Sequence, residues 1–300
     1  MARNRGSFVI RLAAMVAVSF GTALSAVAGS VSFDFESGLP PGTSVGGTGA
    51  IMPSGGVGDS GMLRLTDAAN SQLGEFFIDE FGGGAPVTDF TASFQVRMAD
   101  STCCTGPGGV PRPADGFSFN FGDDFAPGDL ISAGGAEDGV GSGIRVTFDA
   151  WDSGTTDTAP AIDLVIGGTI VETQSMDGVR DGDRPPETPL ITDPATGQPM
   201  HLRTDPGWAN VRIQLNPDNT MDVDFKDVKI FDDVPVPGYT PVAGNFVFGA
   251  RTGGANQTHW IDDLSIATNA TGDIPEPATM CALALAVGGL GGYIRKRRRA

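Results

Sequence analysis

The chain has 300 residues and a formal charge of −17, with 36 acidic residues against 19 basic ones. Eight of the basic residues lie in the two termini, so the stretch from Ser30 to Asp273 is more acidic still, with 35 carboxylates against 11 cations. That balance excludes nucleic acid as a partner, because binding it requires Lys and Arg to neutralise phosphates. Three cysteines likewise exclude a disulfide scaffold.

In chain order, Arg3, Arg5 and Arg11 precede or open an apolar run from Leu12 to Leu24, and Ala26-Val27-Ala28 offers small residues for cleavage. Residues 1–28 therefore read as a secretory signal peptide, cut after Ala28. The apolar run is shorter than the ~20 residues a membrane span needs.

Residues 29–273 read as one domain of β-strands. Val31, Phe33 and Phe35 alternate with polar or small residues, as do Ala92, Phe94, Val96 and Met98. Phe117, Phe119 and Phe121 repeat the period of two, followed by Ile144, Val146 and Phe148, then Val211, Ile213 and Leu215, then Met221, Val223 and Phe225. Phe246, Phe248 and Ala250 add another strand, and Ile261, Leu264 and Ile266 close the domain beside the first. Asn216-Pro217-Asp218-Asn219 reads as a hairpin turn. Gly- and Pro-rich turns between the runs, and no 3.6-residue stripe, predict an all-β, two-sheet antiparallel sandwich or jelly roll.

Cys103 and Cys104 are neighbours in an exported chain, and the sequence leaves open whether they pair with each other, pair between chains or stay reduced. From Asp177 to Pro206 prolines and charges show no period, so this long connection is either a surface insertion or a recognition loop. His201 and His259 are too far apart to suggest a metal cluster.

At the other end, Pro275-Glu276-Pro277 is followed by a nearly uncharged apolar segment from Ala278 to Ile294 and then by Arg295-Lys296-Arg297-Arg298-Arg299. The prolines stop any helix from running back into the domain, and the cations stay on the cytoplasmic side of a membrane segment. This order resembles the PEP-CTERM sorting tail over residues 274–300. The resemblance implies a bacterial envelope, cell-surface or extracellular-matrix location, membrane attachment through this segment until processing, and an exosortase-type enzyme as partner.

Three segments together resemble the legume-lectin-like, concanavalin A-like fold. They are Ala114-Asp115-Gly116-Phe117-Ser118-Phe119, then Val146-Thr147-Phe148-Asp149-Ala150-Trp151, and the pair formed by Phe248 to Gly254 and His259 to Asp263. The resemblance implies that Asp115 follows a cis peptide and accepts sugar hydroxyls, with Gly135 as a backbone donor and Trp151 and Ser153 completing the carbohydrate site. It also implies calcium as cofactor, held by Asp149, Trp151, Ser153 and Asp157. Thr147 stands where the family has a glutamate and Ser153 where it has an asparagine, so the family's transition-metal half is not expected.

Three functions are weighed. The first is a noncatalytic carbohydrate-binding surface protein whose partner is an extracellular polysaccharide or glycan. The second is a matrix protein with no sugar site. The third is a glycoside hydrolase or lyase, which Asp222, Asp224 and Asp227 mimic only superficially: all three are Asp, Asp222 and Asp224 share one strand face, Asp227 needs a bulge to join them, and no enzyme is expected.

Overall fold

The computed structural model describes residues 29–104, 112–154, 156–180 and 184–270; the expected signal peptide and sorting tail lie outside them, as does Cys281. Among the described residues no helix is long and apolar enough to cross a membrane.

The strands are β1 (Gly29–Phe33), β2 (Thr43–Gly47), β3 (Ala50–Met52), β4 (Met62–Thr66), β5 (Leu73–Ile78), β6 (Val87–Ala99) and β7 (Gly116–Gly122). After a short helix α1 (Asp129–Ala133) come β8 (Ile144–Asp149), β9 (Ala161–Ile166), β10 (Thr169–Ser175), β11 (Ala209–Leu215), β12 (Thr220–Phe225), β13 (Val228–Pro235), β14 (Asn245–Arg251) and β15 (Thr258–Ala270). The back sheet runs β13-β12-β11-β6-β15-β4-β3, with β1 also on β15, and the front sheet runs β10-β9-β8-β7-β14-β5-β2. Among the described residues every ladder of the two sheets is antiparallel. The protein is thus the predicted two-sheet sandwich, with Val31 paired to Ile266 across its first and last strands.

Alternating strands put one phenylalanine row from each sheet into the interior. Phe90 and Phe94 of the back sheet meet Phe246 and Phe248 of the front sheet edge-on, at ring separations of 5.5 and 5.2 Å. Such pairs add about 0.5–1.5 kcal/mol each beyond the apolar area they bury. The three-residue step from Ile261 to Leu264, out of phase with a strand, is a bulge in which Asp263 takes a φ of 49°. The hairpin between β11 and β12 closes where the Asn-Pro-Asp-Asn turn predicts, with Asn216 N–H donating to Thr220 O at 2.8 Å.

The inner strands of the front sheet, β5, β7, β8, β9 and β14, are buried on both faces. The segment 123–143 lies over its outer side and packs Phe125, Leu130 and Ala136 on Phe77 and Val247. Leu130 is the one buried residue of α1, the only α-helix among the described residues, for which the sequence showed no stripe. Gly249 makes room for it: a Cβ there would lie 2.4 Å from Leu130 Cδ2.

The connection from Asp177 to Pro206 contains no strand among its described residues, yet it is not a free insertion. Met200 and Leu202 enter the main core, and Asp177 bridges to His201. Arg184 donates to Asp152 at 2.9 Å and to Gly154 O at 3.1 Å, tying this segment to the loop that follows β8.

Candidate functional site

The front-sheet register assembles the site. Gly116, the first residue of β7, is paired on one side with Asp149 at the end of β8 and on the other with Arg251 at the end of β14. Three chain segments distant in sequence therefore finish at one sheet end. The Ala114–Asp115 peptide bond is cis, as the lectin resemblance implies. Asp115 is fixed through its backbone: its N–H donates to Arg251 O at 2.8 Å, and its carbonyl accepts from the N–H groups of Ala150 at 2.7 Å and Trp151 at 3.1 Å.

Two neighbouring recesses open here. One, of about 400 Å³, is lined by Cys104, Asp115, Trp151, Ser153, Arg251 and the turn Gly253–Ala255. The turn closes tightly over the carboxylate, since a Cβ on Gly253 would lie 3.0 Å from Asp115 Oδ2. The other, of about 410 Å³, gathers Glu137, Asp138, Asp149, Asp157 and Asp163, and shares Trp151, Ser153 and Arg251 with the first. Asp115, Trp151, Ser153, Asp149 and Asp157 thus lie around one cleft.

Gly135 lines neither recess; its carbonyl accepts the N–H of Asp138 at 3.0 Å, and Glu137 and Asp138, two and three residues further on, face the cavity in its place. The turn from Gly134, which has a φ of 77°, carries those two side chains inward.

The loop after β8 is built by its own carboxylates. Asp149 Oδ1 accepts from Trp151 N–H at 3.1 Å, and Asp157 accepts from Ser153 N–H at 2.7 Å and Ala159 N–H at 3.0 Å. Arg112 stacks on Trp151, its guanidinium carbon 3.9 Å from the ring centroid, so one face of the aromatic is already covered.

Arg251, which lies in the Phe248 to Gly254 segment of the lectin resemblance with no role of its own there, is the chief cation of the cleft. Its Nε lies 3.0 Å from Asp115 Oδ2, and its Nη2 pairs with Glu137 Oε1. Arg145 lines the same recess, and two guanidinium groups do not balance its five acids. Burial raises the Glu137 carboxyl to about 7 against the pull of Arg251. Burial, reinforced by Asp157, raises Asp149 well above the usual carboxylate range, and burial also raises Asp115 and Asp163. Glu137 Oε2 and Asp163 Oδ1 are buried without a hydrogen-bond partner. Clustered, desolvated carboxylates with orphan oxygens mark a place where positive charge or donors from outside would be stabilised. Among the described residues no three His, Cys, Asp or Glu side chains already converge as a metal site.

The other candidates fall elsewhere. Asp222 and Asp224 point outward from the back sheet toward Lys229, at 3.6 and 3.4 Å, and Asp227 sits in the tight turn between β12 and β13. His259 is wholly buried beside Thr66 rather than at a surface.

Comparison with known proteins accounts for both the fold and the tail. Residues 273–299 match the PEP-CTERM protein-sorting motif. No curated protein sequence matches the chain. Among solved structures, the exoplasmic/lumenal domain of VIP36 in a Ca2+/Man3GlcNAc-bound form is similar with a TM-score of 0.50 and 15% identity, over 80% of this chain and 88% of that one. Lectin II from Ulex europaeus gives 0.51 and 16%, over 81% and 98%, and peanut lectin gives 0.50 and 18%, over 81% and 97%. The sandwich is therefore of the legume-lectin type.

Proposed function

We propose that this is an exported bacterial surface protein whose sandwich binds carbohydrate in the cleft around Asp115, with calcium ordering the loop after β8. The observation that carries the reading is the convergence of Asp115, Trp151 and the acidic loop at one end of the front sheet. A planar acceptor beside an aromatic side chain, in a recess of about 400 Å³, is the chemistry that holds a sugar ring. The glycan-bound VIP36 domain, similar in fold, supports it. The sorting motif supports the address: removal of residues 1–28, attachment through the apolar tail, and processing by an exosortase-type enzyme at Pro275-Glu276-Pro277.

The residues fit calcium, a cation that takes six to eight oxygens including carboxylates. Asp149, Asp157, the Trp151 carbonyl and Ser153 would hold it, in a cavity where buried carboxylate oxygens already lack partners. When bound, the ion supplies the positive charge these acids are short of. Asp115 does the recognition, its backbone hydrogen bonds holding the carboxylate at the cleft floor to accept sugar hydroxyls. Arg251 shares that carboxylate and must lean toward Glu137 for both oxygens to be free.

One observation favours a second reading, a matrix protein that binds no sugar: Arg251 already occupies Asp115. Glycan-array binding of the exported protein in calcium and in chelator separates the two, and turnover assays on any bound glycan test for a hydrolase or lyase. Asp115→Ala removes charge-assisted hydrogen bonds worth about 1.5–3 kcal/mol, so affinity for an array-positive glycan should fall roughly tenfold or more. Unchanged affinity in that variant overturns the assignment of Asp115, and an empty array in both conditions favours the matrix protein.

A further inference from the structure

Cys103 and Cys104, adjacent in sequence, are joined by a disulfide, and Cys104 lines the same recess as Asp115, Trp151 and Arg251. The ring they close is well anchored. Just before it, Thr102 donates to Asn256 Oδ1 from its N–H at 2.9 Å and from its hydroxyl at 3.0 Å. Asn256 in turn donates to Asn70 at 2.7 Å, and Cys103 Sγ rests 3.2 Å from Gly254 O, on the turn that closes over Asp115. On its other side, Cys104 has a φ of 60°, uncommon for a residue other than glycine, and in that conformation its carbonyl accepts the N–H of Arg112 at 2.9 Å. Arg112 is the residue stacked on Trp151. Disulfide, Arg112 and Trp151 thus form one connected wall beside the carboxylate.

We propose that the Cys103–Cys104 ring is a binding element of the cleft: it presents a polarizable apolar surface to a neutral sugar ring and, by holding Cys104, keeps Arg112 over Trp151. The proposal rests on the reading of this cleft as a glycan site. A neutral sugar is the ligand class because it brings an apolar ring face for sulfur and hydroxyls for Asp115. An anionic sugar would meet the surplus of carboxylates next door. Opening the ring requires a reductant. With dithiothreitol, two electrons and two protons pass to the sulfurs, the S–S bond breaks, two thiols form, and the reagent closes to its own cyclic disulfide.

The test uses the exported, oxidised protein and the pair Cys103→Ser/Cys104→Ser, titrated with methyl mannoside, methyl glucoside and methyl galactoside before and after dithiothreitol, with Asp115→Ala alongside. With the magnitude of sulfur–aromatic contacts taken for this sulfur–sugar contact, reduction should weaken the wild type by roughly two- to tenfold and leave the double variant at the weakened value. A second reading needs no sugar: the Trp151 contribution to fluorescence, taken as the difference between wild type and Trp151→Phe, should change on reduction, because the ring and the indole border one recess. If Asp115→Ala weakens binding while wild type and double variant bind alike in both redox states, the ring is not part of the site. If no glycoside binds any form, the glycan reading fails on its own, and the Trp151 signal still decides whether the ring shapes the recess: a change supports this, and none overturns it.

Discussion

The space between the two sheets and the cleft at the end of the front sheet are made by the same strands under opposite rules. Along β7, Phe117, Phe119 and Phe121 go inward and meet aromatic rings from both sheets, while Asp115, one residue before the strand, joins a group of carboxylates with too few cations. Inside, burial is satisfied by shape. At the cleft, burial is imposed on charges that Arg251 and Arg145 relieve only in part. Natural domains break their own packing and pairing rules where function requires it, so the contrast itself argues that the cleft is the working end.

The largest effect should come from breaking the interior. Phe119 meets Phe90, Phe246 and Phe248 at 5.3–5.8 Å and is fully buried, so Phe119→Ala should cost about 3–5 kcal/mol in urea unfolding of the exported protein. A loss below roughly 1 kcal/mol would mean that the interior is not packed as described.

The two regions should also answer acid with opposite signs. His259 is wholly buried, and burial lowers it to about 3. Thr66 donates to Gln257 O at 3.1 Å and accepts from His259 Nδ1, which leaves Nε2 without a partner and the ring neutral. Below pH 6.5 the unfolded chain gains a proton there that the folded one refuses, so this residue subtracts stability as pH falls, by about 2 kcal/mol between pH 6.5 and 5. Glu137, raised to about 7, does the reverse. The folded state takes up its proton first, so its contribution grows as pH falls from 7 toward 4.5 and is lost as pH rises through 7. Stability measured against pH should therefore fall less steeply on acidification in His259→Gln than in wild type, and more steeply in Glu137→Gln. Equal slopes in the three proteins would remove the contrast.

How much of this was legible follows from which faces water touches. Strands exposed on one side alternate, so β6, β11 and β12 could be read directly, as could the inward phenylalanines of β7. Strands β5 and β9 could not: Leu73-Gly74-Glu75-Phe76-Phe77-Ile78 and Ala161 to Ile166 are covered on both faces, and a strand buried on both sides carries no period. Among residues lining the cleft, Asp115, Asp149, Trp151, Ser153 and Asp157 stand in motifs that are local in sequence. Arg251, Glu137 and Arg112 were not assigned roles, because their partners come from the antiparallel register and from a covering loop. The signal that could have exposed Arg251 is its place as a lone cation ending a strand of otherwise apolar residues, Phe246 to Ala250.

The smallest effect sharpens the comparison most, because it asks what Arg251 is for. Its side chain is about one-third exposed, 35%, so water screens its pairs with Asp115 and Glu137, and the net contribution of such pairs to stability is modest, about 1 kcal/mol at most. If the guanidinium serves as partial counter-charge for a cleft that calcium neutralises more fully, removing it should leave the carboxylates more in need of the ion. Arg251→Gln keeps a donor at the position and loses the charge. In chelator the variant should melt lower than wild type, and the rise in Tm on adding calcium should exceed that of wild type by about 2–4 °C, the shift that 1 kcal/mol gives a domain of this size. The same calcium titration on Asp149→Ala should show little rise, since that variant lacks a proposed ligand. A calcium response in Arg251→Gln no larger than in wild type would mean that Arg251 and the ion do not address the same charge, and that the acids of the cleft are satisfied by solvent instead.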